Sequence, residues 1–208
     1  MPEDPGLTEA AERIVAEAKQ LFAREGYGSV SIRDIARAAE VSKANVFHHF
    51  ASKEDLYLEV LRRSCDSARA LLTALEQDER EPDAQLREFT REHLRRALAD
   101  LDGSRLVLAE AFDATPERAQ SLVDEVFGAD FQRLAEIFAN GQERGAWRRD
   151  IDPSLMAVYL LAANTFFTSQ REVLRRLPGV DFADDPDRYT DRLVELMLDG
   201  IKTGGARD

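Results

Sequence analysis

Three serines mark three helix starts within the stretch from Ser31 to Lys53. Ser31, Ser42 and Ser52 each stand three residues ahead of an Asp or Asn. At that spacing a hydroxyl can accept a hydrogen bond from a free N–H group in the first turn of a new helix. Helix starts so close together leave room only for short helices joined by tight turns.

The apolar residues of this stretch fall on one face of each short helix. They are Ile32, Ile35, Ala36 and Ala39 in the first helix, and Val46 and Phe50 in the second. The small side chain of Ala36 allows the two helices to cross closely. The stretch is therefore predicted to be a helix-turn-helix.

The outward face of the second helix carries donors, one small residue and flat rings, namely Lys43, Ala44, Asn45, Phe47, His48 and His49. Such side chains can contact base edges and phosphates. The amide of Asn45 fits N6 and N7 of adenine, and Lys53 opens the next helix, where free N–H groups favour a phosphate. This composition is typical of a helix that reads the major groove.

Four short motifs connect this region to a known family. They are the Phe-x-x-x-Gly-Tyr approach at Phe22, Gly26 and Tyr27, the Ile-Arg-Asp-Ile-Ala helix, the Val-Ser-Lys turn, and an aromatic-His-His-Phe-x-Ser-Lys exit. With these motifs, the segment from Leu21 to Leu61 resembles the DNA-binding domain of the TetR (tetracycline repressor) family of bacterial transcriptional regulators. The rest of the chain resembles that family only in the number and length of its helices.

The resemblance implies which residues contact DNA. The set is Ser31, Arg33, Ser42, Lys43, Ala44, Asn45, Phe47, His48, His49 and Lys53. Within it, Lys43 and Asn45 are expected at bases, and Ser31, Phe47, His48 and Lys53 nearer the backbone. Two positions depart from the family, since Phe47 stands where a Tyr is usual and Glu40 stands where a Gly commonly makes the turn. Glu40 is therefore expected to adopt a left-handed conformation.

Charge is distributed unevenly along the chain. The net charge is −12, but residues 1–63 contain nine Lys and Arg against eleven Asp and Glu, so most of the excess acid lies beyond them. Between Ser31 and Lys53 four basic residues face only Asp34 and Glu40. A local basic patch on an acidic body is compatible with phosphate binding, and the body is expected to repel DNA.

Several protein classes are not expected. The longest apolar run, Leu155 to Ala163, is far shorter than a membrane span, and the acidic N-terminal stretch lacks the apolar segment of a signal peptide, so we expect a cytoplasmic protein. A single cysteine, Cys65, excludes an internal disulfide and a multi-thiolate metal site. Catalytic and metal-binding motifs are missing from the sequence, so we predict no enzyme activity, no catalytic residues, no metal and no cofactor.

The whole chain is predicted to be all-α. A first helix over 8–25 precedes the helix-turn-helix, a long helix follows Ser52, and further helices are predicted over 84–101, 104–114, 116–144, 153–176 and 185–202. We divide the chain into a three-helix DNA-binding domain, residues 1–52, and a larger helical domain, residues 53–208. The family resemblance implies that the second domain binds an effector and forms a homodimer.

Two helices of the second domain are candidates for a dimer interface. The helix over 153–176 has two apolar stripes and needs two neighbours, and the last helix offers another apolar seam. The resemblance implies pairing through Ala157, Leu161, Asn164, Thr168, Arg171, Leu193, Leu196, Met197 and Ile201. The alternative, that both stripes belong to the core of one monomer, stays open.

A set of aromatic residues and one histidine could line an effector cavity: Phe89, His93, Phe112, Phe127, Phe131, Trp147, Tyr159 and Phe166. Each aromatic could equally be core, since aromatics at helical spacing usually pack against each other. The scarcity of charge in the apolar segments favours a hydrophobic or aromatic effector.

Together these features predict a DNA-binding transcriptional regulator, a ligand-responsive repressor that binds a pseudo-palindromic operator as a dimer. One alternative is a helical small-molecule-binding protein or enzyme that retains a helix-turn-helix. Another is a regulator that works without an effector.

Overall fold

The computed structural model describes residues 8–113 and 115–202, without the side chains of residues 112 and 113. Those residues form helices and no strand, which confirms the all-α prediction. The α-helices are α1 (Glu9–Glu25), α2 (Ile32–Ala38), α3 (Lys43–His49), α4 (Lys53–Glu76), α5 (Pro82–Ala99), α6 (Leu101–Asp113), α7 (Pro116–Leu122), α8 (Gly128–Glu143), α9 (Pro153–Leu174) and α10 (Pro186–Ile201). A π turn spans Val123–Phe127, and a 3-10 turn spans Asp181–Ala183. No helix in the described ranges is both long and apolar enough to cross a membrane.

Side-chain caps begin the helices around the predicted turn. The hydroxyls of Ser31, Ser42 and Ser52 accept backbone N–H bonds at 3.2, 3.1 and 3.0 Å, as predicted. The backbone N–H of Ser31 donates in return to the carboxylate of Asp34, which completes a capping box. Each cap stabilises its helix by about 1 kcal/mol, so the short helices α2 and α3 depend on them.

One apolar core holds the N-terminal helices together. The predicted inward residues of α2 and α3 are buried here, with Ile35 and Val46 fully enclosed, and α1 adds Ile14, which is also fully enclosed. The ring of Tyr57 on α4 packs edge-on against Phe22 with centroids 5.0 Å apart. The core also includes residues from α6, α7 and the π turn, namely Leu106, Leu122 and Val126. Helices α1 to α3 are therefore packed directly against the rest of the chain.

A second core is built around Trp147, which is completely buried between α5, α8 and α10. Its Nε1 donates to the carboxylate of Asp83 at 2.9 Å, and the same carboxylate pairs with Lys202 at 2.7 Å. The indole lies on Gly141, where an added Cβ would come within 2.2 Å of the ring. Helix α4 contributes Leu71, Leu72 and Leu75 to this core. The predicted domain boundary at residues 52 and 53 falls at the start of α4, and it stays a prediction.

Two glycines explain where the structure departs from the predicted helices. The helix expected over 116–144 is continuous over residues 116–143, but a π turn lies within it just before Gly128. A Cβ at Gly128 would lie 2.5 Å from the carbonyl oxygen of Val123, so this close backbone approach requires glycine. The break expected at Gly103 falls two residues earlier, since Gly103 lies inside α6 and allows that helix to approach Ser64 on α4.

The turn between α2 and α3 contains a non-glycine residue with positive φ. Glu40 has φ 54°, which confirms the expected left-handed conformation. A side chain with a Cβ costs about 1–2 kcal/mol in this region, whereas glycine adopts it freely.

We therefore expect Glu40→Gly to raise the free energy of unfolding by about 0.5–1 kcal/mol, the greater freedom of glycine in the unfolded chain offsetting part of the gain. The melting temperature should rise by roughly 2 °C at fixed protein concentration. Glu40→Gln is the matched control, because it removes the charge but keeps the Cβ. An equal gain in the control would assign the effect to charge and not to backbone strain.

Candidate functional sites

Besides the helix-capping Ser31 and Ser42, the outer face of the helix-turn-helix exposes five of the predicted DNA-contacting residues. Arg33 on α2 and Lys43, Ala44, Phe47 and His48 on α3 are exposed. The ring of Phe47 is 45% exposed, and the Lys43 ammonium lies 5.5 Å from its centroid. The exposed ring and the two cations Lys43 and Arg33 thus lie on the same outer side of the motif, where they are available to a partner.

Two cations on this face are free to bind an anion. In the described ranges neither Arg33 nor Lys43 has a carboxylate within ion-pair distance. Arg37, by contrast, is paired with Asp34. Because many other surface arginines of this acidic chain form ion pairs, Arg33 and Lys43 are its most available phosphate ligands on α2 and α3.

Other predicted contact residues have side-chain polar groups that are bonded to, or enclosed by, the rest of the chain. The hydroxyls of Ser31 and Ser42 cap helices. Asn45 is half-buried, and its Oδ1 is enclosed without a hydrogen-bond partner in the described part of the chain. This corrects the expectation that Asn45 presents both amide groups to adenine. His49 is also half-buried and packs edge-on against His48, with centroids 5.0 Å apart.

Lys53 supports the loop before α2. Its ammonium donates to the carbonyl of Tyr27 and lies 4.1 Å from the Tyr27 ring centroid, a cation–π contact. The expectation that Lys53 points at a phosphate is therefore corrected. The spacing of Lys53 at a helix start could not reveal this, because Tyr27 reaches it from another element.

A polar cluster joins the start of α4 to α6 and α7. The Arg118 guanidinium on α7 contacts the carboxylates of Glu54 on α4 and Glu110 on α6. The Tyr57 hydroxyl donates to Glu110 at 2.8 Å, and the Tyr27 hydroxyl donates to Glu54 at 2.8 Å. Burial and the nearby Glu54 carboxylate raise the pKa of Tyr27 to about 12, so its hydroxyl remains a donor. The sequence analysis missed this cluster, whose members are far apart in the chain.

A cavity of about 410 Å³ opens between α4, α5, α6 and α9. Of the predicted cavity residues whose side chains the structure describes, only His93 lines this cavity. Phe89 and Trp147 are buried in the second core, Phe127 and Phe131 pack against the cores, and Tyr159 and Phe166 face outward with 53% and 60% exposed. The side chain of Phe112 lies outside the described residues.

His93 is tied to α9 by a buried amide. The Nδ2 of Asn164 donates to the Thr90 carbonyl at 3.1 Å and lies 3.1 Å from Nδ1 of His93. Nδ1 must then accept, so the proton of the neutral ring is on Nε2. Burial lowers the pKa of His93 to about 4, so the ring is neutral at physiological pH.

The predicted dimer stripe is largely internal. Ala157, Asn164, Leu193, Met197 and Ile201 are buried within this chain, whereas Leu196 is 69% exposed. Leu161 is half-buried, and Thr168 and Arg171 line the cavity. The chain itself therefore covers most members of the stripe, and the dimer interface stays a prediction. The side of α9 and α10 left open carries Leu155, Val158, Tyr159, Phe166, Val173 and Leu196, which we call the open apolar face. The helical periodicity of apolar residues identifies both stripes of α9, but it does not say which stripe packs against the rest of the chain.

Comparisons with known proteins agree with this architecture. The profile described as "Bacterial regulatory proteins, tetR family" matches residues 14–60, and the profile "Tetracyclin repressor-like, C-terminal domain" matches residues 82–200. The HTH-type transcriptional repressor DhaR of Mycobacterium sp. strain GP1 is 27% identical over 160 residues, covering 75% of this chain and 79% of DhaR. The HTH-type transcriptional regulator RutR of Escherichia coli K12 is 26% identical over 194 residues, covering 91% of this chain and 89% of RutR.

Solved structures share the fold. The fatty acid degradation regulator FadR from Bacillus halodurans superposes with a TM-score of 0.76 at 17% identity, over 97% of this chain and 98% of that one. At this identity the likeness concerns the fold.

The neutral state of His93 should make stability depend on pH. The folded ring has a pKa of about 4 against an ordinary 6.5, so between these values only the unfolded chain takes up the proton. The unfolding free energy should therefore fall as pH decreases through this window, by about 1 kcal/mol between pH 7.5 and 5.5 from this group. Urea unfolding of the wild type and of His93→Gln at both pH values measures the difference. An identical pH dependence in the two proteins would contradict a neutral, buried His93.

Proposed function

The chain belongs to the TetR family of bacterial regulatory proteins and is a DNA-binding transcriptional regulator, and we propose that it is a repressor whose homodimer leaves its operator when a small ligand enters the cavity. In this role the protein binds and releases DNA and is not an enzyme. The capped helix-turn-helix with an exposed face and two unpaired cations carries the proposal.

We assign DNA reading to the exposed residues of α3. Lys43, Ala44 and Phe47 can reach base edges in the major groove, and the apolar side chains suit contact with thymine methyl groups. Arg33 is then a phosphate ligand, with His48 beside the groove. Asn45 supports α3 from within and is not the adenine reader.

If a ligand is to release the protein from DNA, the cavity must be connected to the helix-turn-helix. Helix α6 lines the cavity with residues such as Leu108 and Ala111 and also holds Glu110 in the polar cluster. Through Arg118, that cluster reaches Glu54 in the first turn of α4, next to α3. A ligand that moves α6 would therefore displace the start of α4 and change the spacing of the two reading helices.

The open apolar face supports a dimer. Its side chains are half to two-thirds exposed in this chain, and monomeric proteins rarely leave so many large apolar residues together in water. A second copy packed on α9 and α10 by a twofold axis would cover the same face of each copy.

The DNA site should be a pseudo-palindrome, because a symmetric dimer presents two copies of α3 to major grooves about 34 Å apart, or a multiple of one turn. Sequencing the genomic fragments that the purified protein selects at moderate salt measures this directly. On the selected site, Lys43→Ala should lower the slope of affinity against salt by about one unit.

Lys53→Ala is the matched control for Lys43→Ala. It removes the same charge from a position already bonded to Tyr27, so it should lower the melting temperature and leave the salt slope unchanged at a temperature where the variant is folded. A lower slope for Lys53→Ala alone would reverse the assignment of the two lysines.

Phe166→Glu should convert the dimer to a monomer, because it places two charges in an apolar interface. Sedimentation equilibrium gives the mass, and operator affinity should fall with it. Val123→Glu is the control, since Val123 is 51% exposed on the π turn, away from the open apolar face. A dimeric, operator-binding Phe166→Glu protein would place the interface elsewhere.

A further inference from the structure

We infer that the cavity takes a monocarboxylate with an apolar body, with the carboxylate on Arg171 and the body along α6. The inference rests on the proposed function only for the role of this cavity as the effector site. The binding chemistry itself follows from how the charges of the lining are paired.

Arg171 lines the cavity with a guanidinium that is fixed by one hydrogen bond and keeps its other donors available. Its Nε donates to the carbonyl of Ala183 at 3.0 Å, and Ala183 is fully buried in the 3-10 turn before α10. That bond fixes the plane of the guanidinium. The two Nη groups make no hydrogen bond or ion pair to the part of the chain that the structure describes. A guanidinium with two free, parallel donors is the group that binds a carboxylate in bidentate fashion.

The acidic side chains that line the cavity are already paired with basic side chains that do not line it. Asp100 pairs with Lys19, and it also accepts the backbone N–H of Gly103 at 3.1 Å. Glu172 pairs with Arg175 and Arg176 at 3.3 and 3.0 Å. None of these three cations lines the cavity. The positive charge of Arg171 is therefore left for a bound anion.

The pairing of the lining residues limits the anion to a single charge. The other two cations of the wall, Arg96 and Arg105, pair with Glu92 and Asp102, both at 3.8 Å, so among the described residues one guanidinium is left to balance a dianion such as a phosphate monoester. The neutral ring of His93 adds a donor at Nε2 but no charge. A monoanion satisfies the lining without excess charge.

The shape of the wall fits an elongated molecule. Asn164, which holds His93, and Arg171 are seven residues apart on one face of α9, which corresponds to about 10 Å along the helix axis. The opposite wall from α6 contributes Leu101, Val107 and Leu108, and Cys65 faces the cavity from α4. Burial raises the pKa of the Cys65 thiol to about 11, so this group is neutral and acts as apolar surface. Arg171 thus supplies the group for the charged head, and the apolar side chains of α4 and α6 supply surface for the body, between hydroxyls such as those of Ser64 and Ser104.

A carboxylate head group on an apolar body is a narrower description than the expected effector, a hydrophobic or aromatic molecule, which the scarcity of charge in the apolar segments favoured. Arg171 was assigned to a dimer interface, and its position in the cavity wall depends on the fold of α9 against α5 and α6.

Calorimetric titration of the full-length protein with pairs of ligands that differ only in the head group tests the inference. The pairs are decanoate with decan-1-ol, and 4-phenylbutyrate with 4-phenylbutan-1-ol, all below their aggregation limits. In at least one pair the carboxylate should bind about tenfold or more tightly than the alcohol. Decylamine, with the opposite charge, should bind more weakly than decan-1-ol.

Arg171→Gln should reduce the carboxylate affinity by about tenfold or more and leave the alcohol affinity unchanged. Arg171→Lys keeps the charge and should retain part of the preference, which separates head-group binding from a general loss of the cavity. Arg188→Gln is the matched control, because Arg188 neither lines the cavity nor pairs with a carboxylate that does. Melting curves of each variant establish that it is folded.

Equal affinity for carboxylate and alcohol, no binding in either pair, or an equal loss of both ligands in Arg171→Gln would each overturn the inference. The proposed function is tested separately by adding the bound carboxylate to the protein–operator complex. Binding without a loss of operator affinity would reject the cavity as the effector site while the head-group assignment stands.

Discussion

The two ends of helix α4 are buried in two different cores. The position of the helix-turn-helix, α2 and α3, depends on this helix that both cores share. Leu56, Val60 and Leu61 are completely enclosed among the N-terminal helices, whereas Leu71, Leu72 and Leu75 are buried with α5, α8 and α10. An α-helix is stiff over this length, so neither core can shift without moving the other. The short helices α2 and α3 have few contacts of their own and take their orientation from this shared element.

Local signals in the sequence predicted the part of the fold that local chemistry determines. The serine caps, the inward faces of α2 and α3 and the left-handed Glu40 each depend on residues a few positions apart, and the structure confirms them. The sites depend on long-range packing, and there the predictions were weaker. Asn45 and Lys53 have the right chemistry for DNA, yet the Lys53 ammonium is bonded to the Tyr27 carbonyl and the Asn45 Oδ1 is enclosed within the fold.

The same limit explains the errors in the second domain. Both faces of α9 are apolar, so periodicity alone cannot tell that Ala157 and Asn164 face the core while Val158 and Phe166 face out. Aromatic residues are chosen for packing as often as for binding, and Phe89 and Trp147 are core. At the π turn Gly128 lies so close to the Val123 carbonyl that a Cβ would come within 2.5 Å of the oxygen, and this proximity appears only in three dimensions.

The cluster around Arg118 has a consequence for the liganded protein. Because one guanidinium bonds carboxylates from both α4 and α6, the arrangement that suits DNA and the arrangement that suits a ligand draw on the same set of bonds. Linkage then works in both directions, so a ligand that weakens operator binding by some factor must itself bind the operator complex more weakly by that factor. Dimers bound to the operator would thus be the last to bind ligand as its concentration rises. The ligand concentration needed for induction would then rise with the strength of the operator, so a single repressor could switch its promoters in sequence as the ligand accumulates.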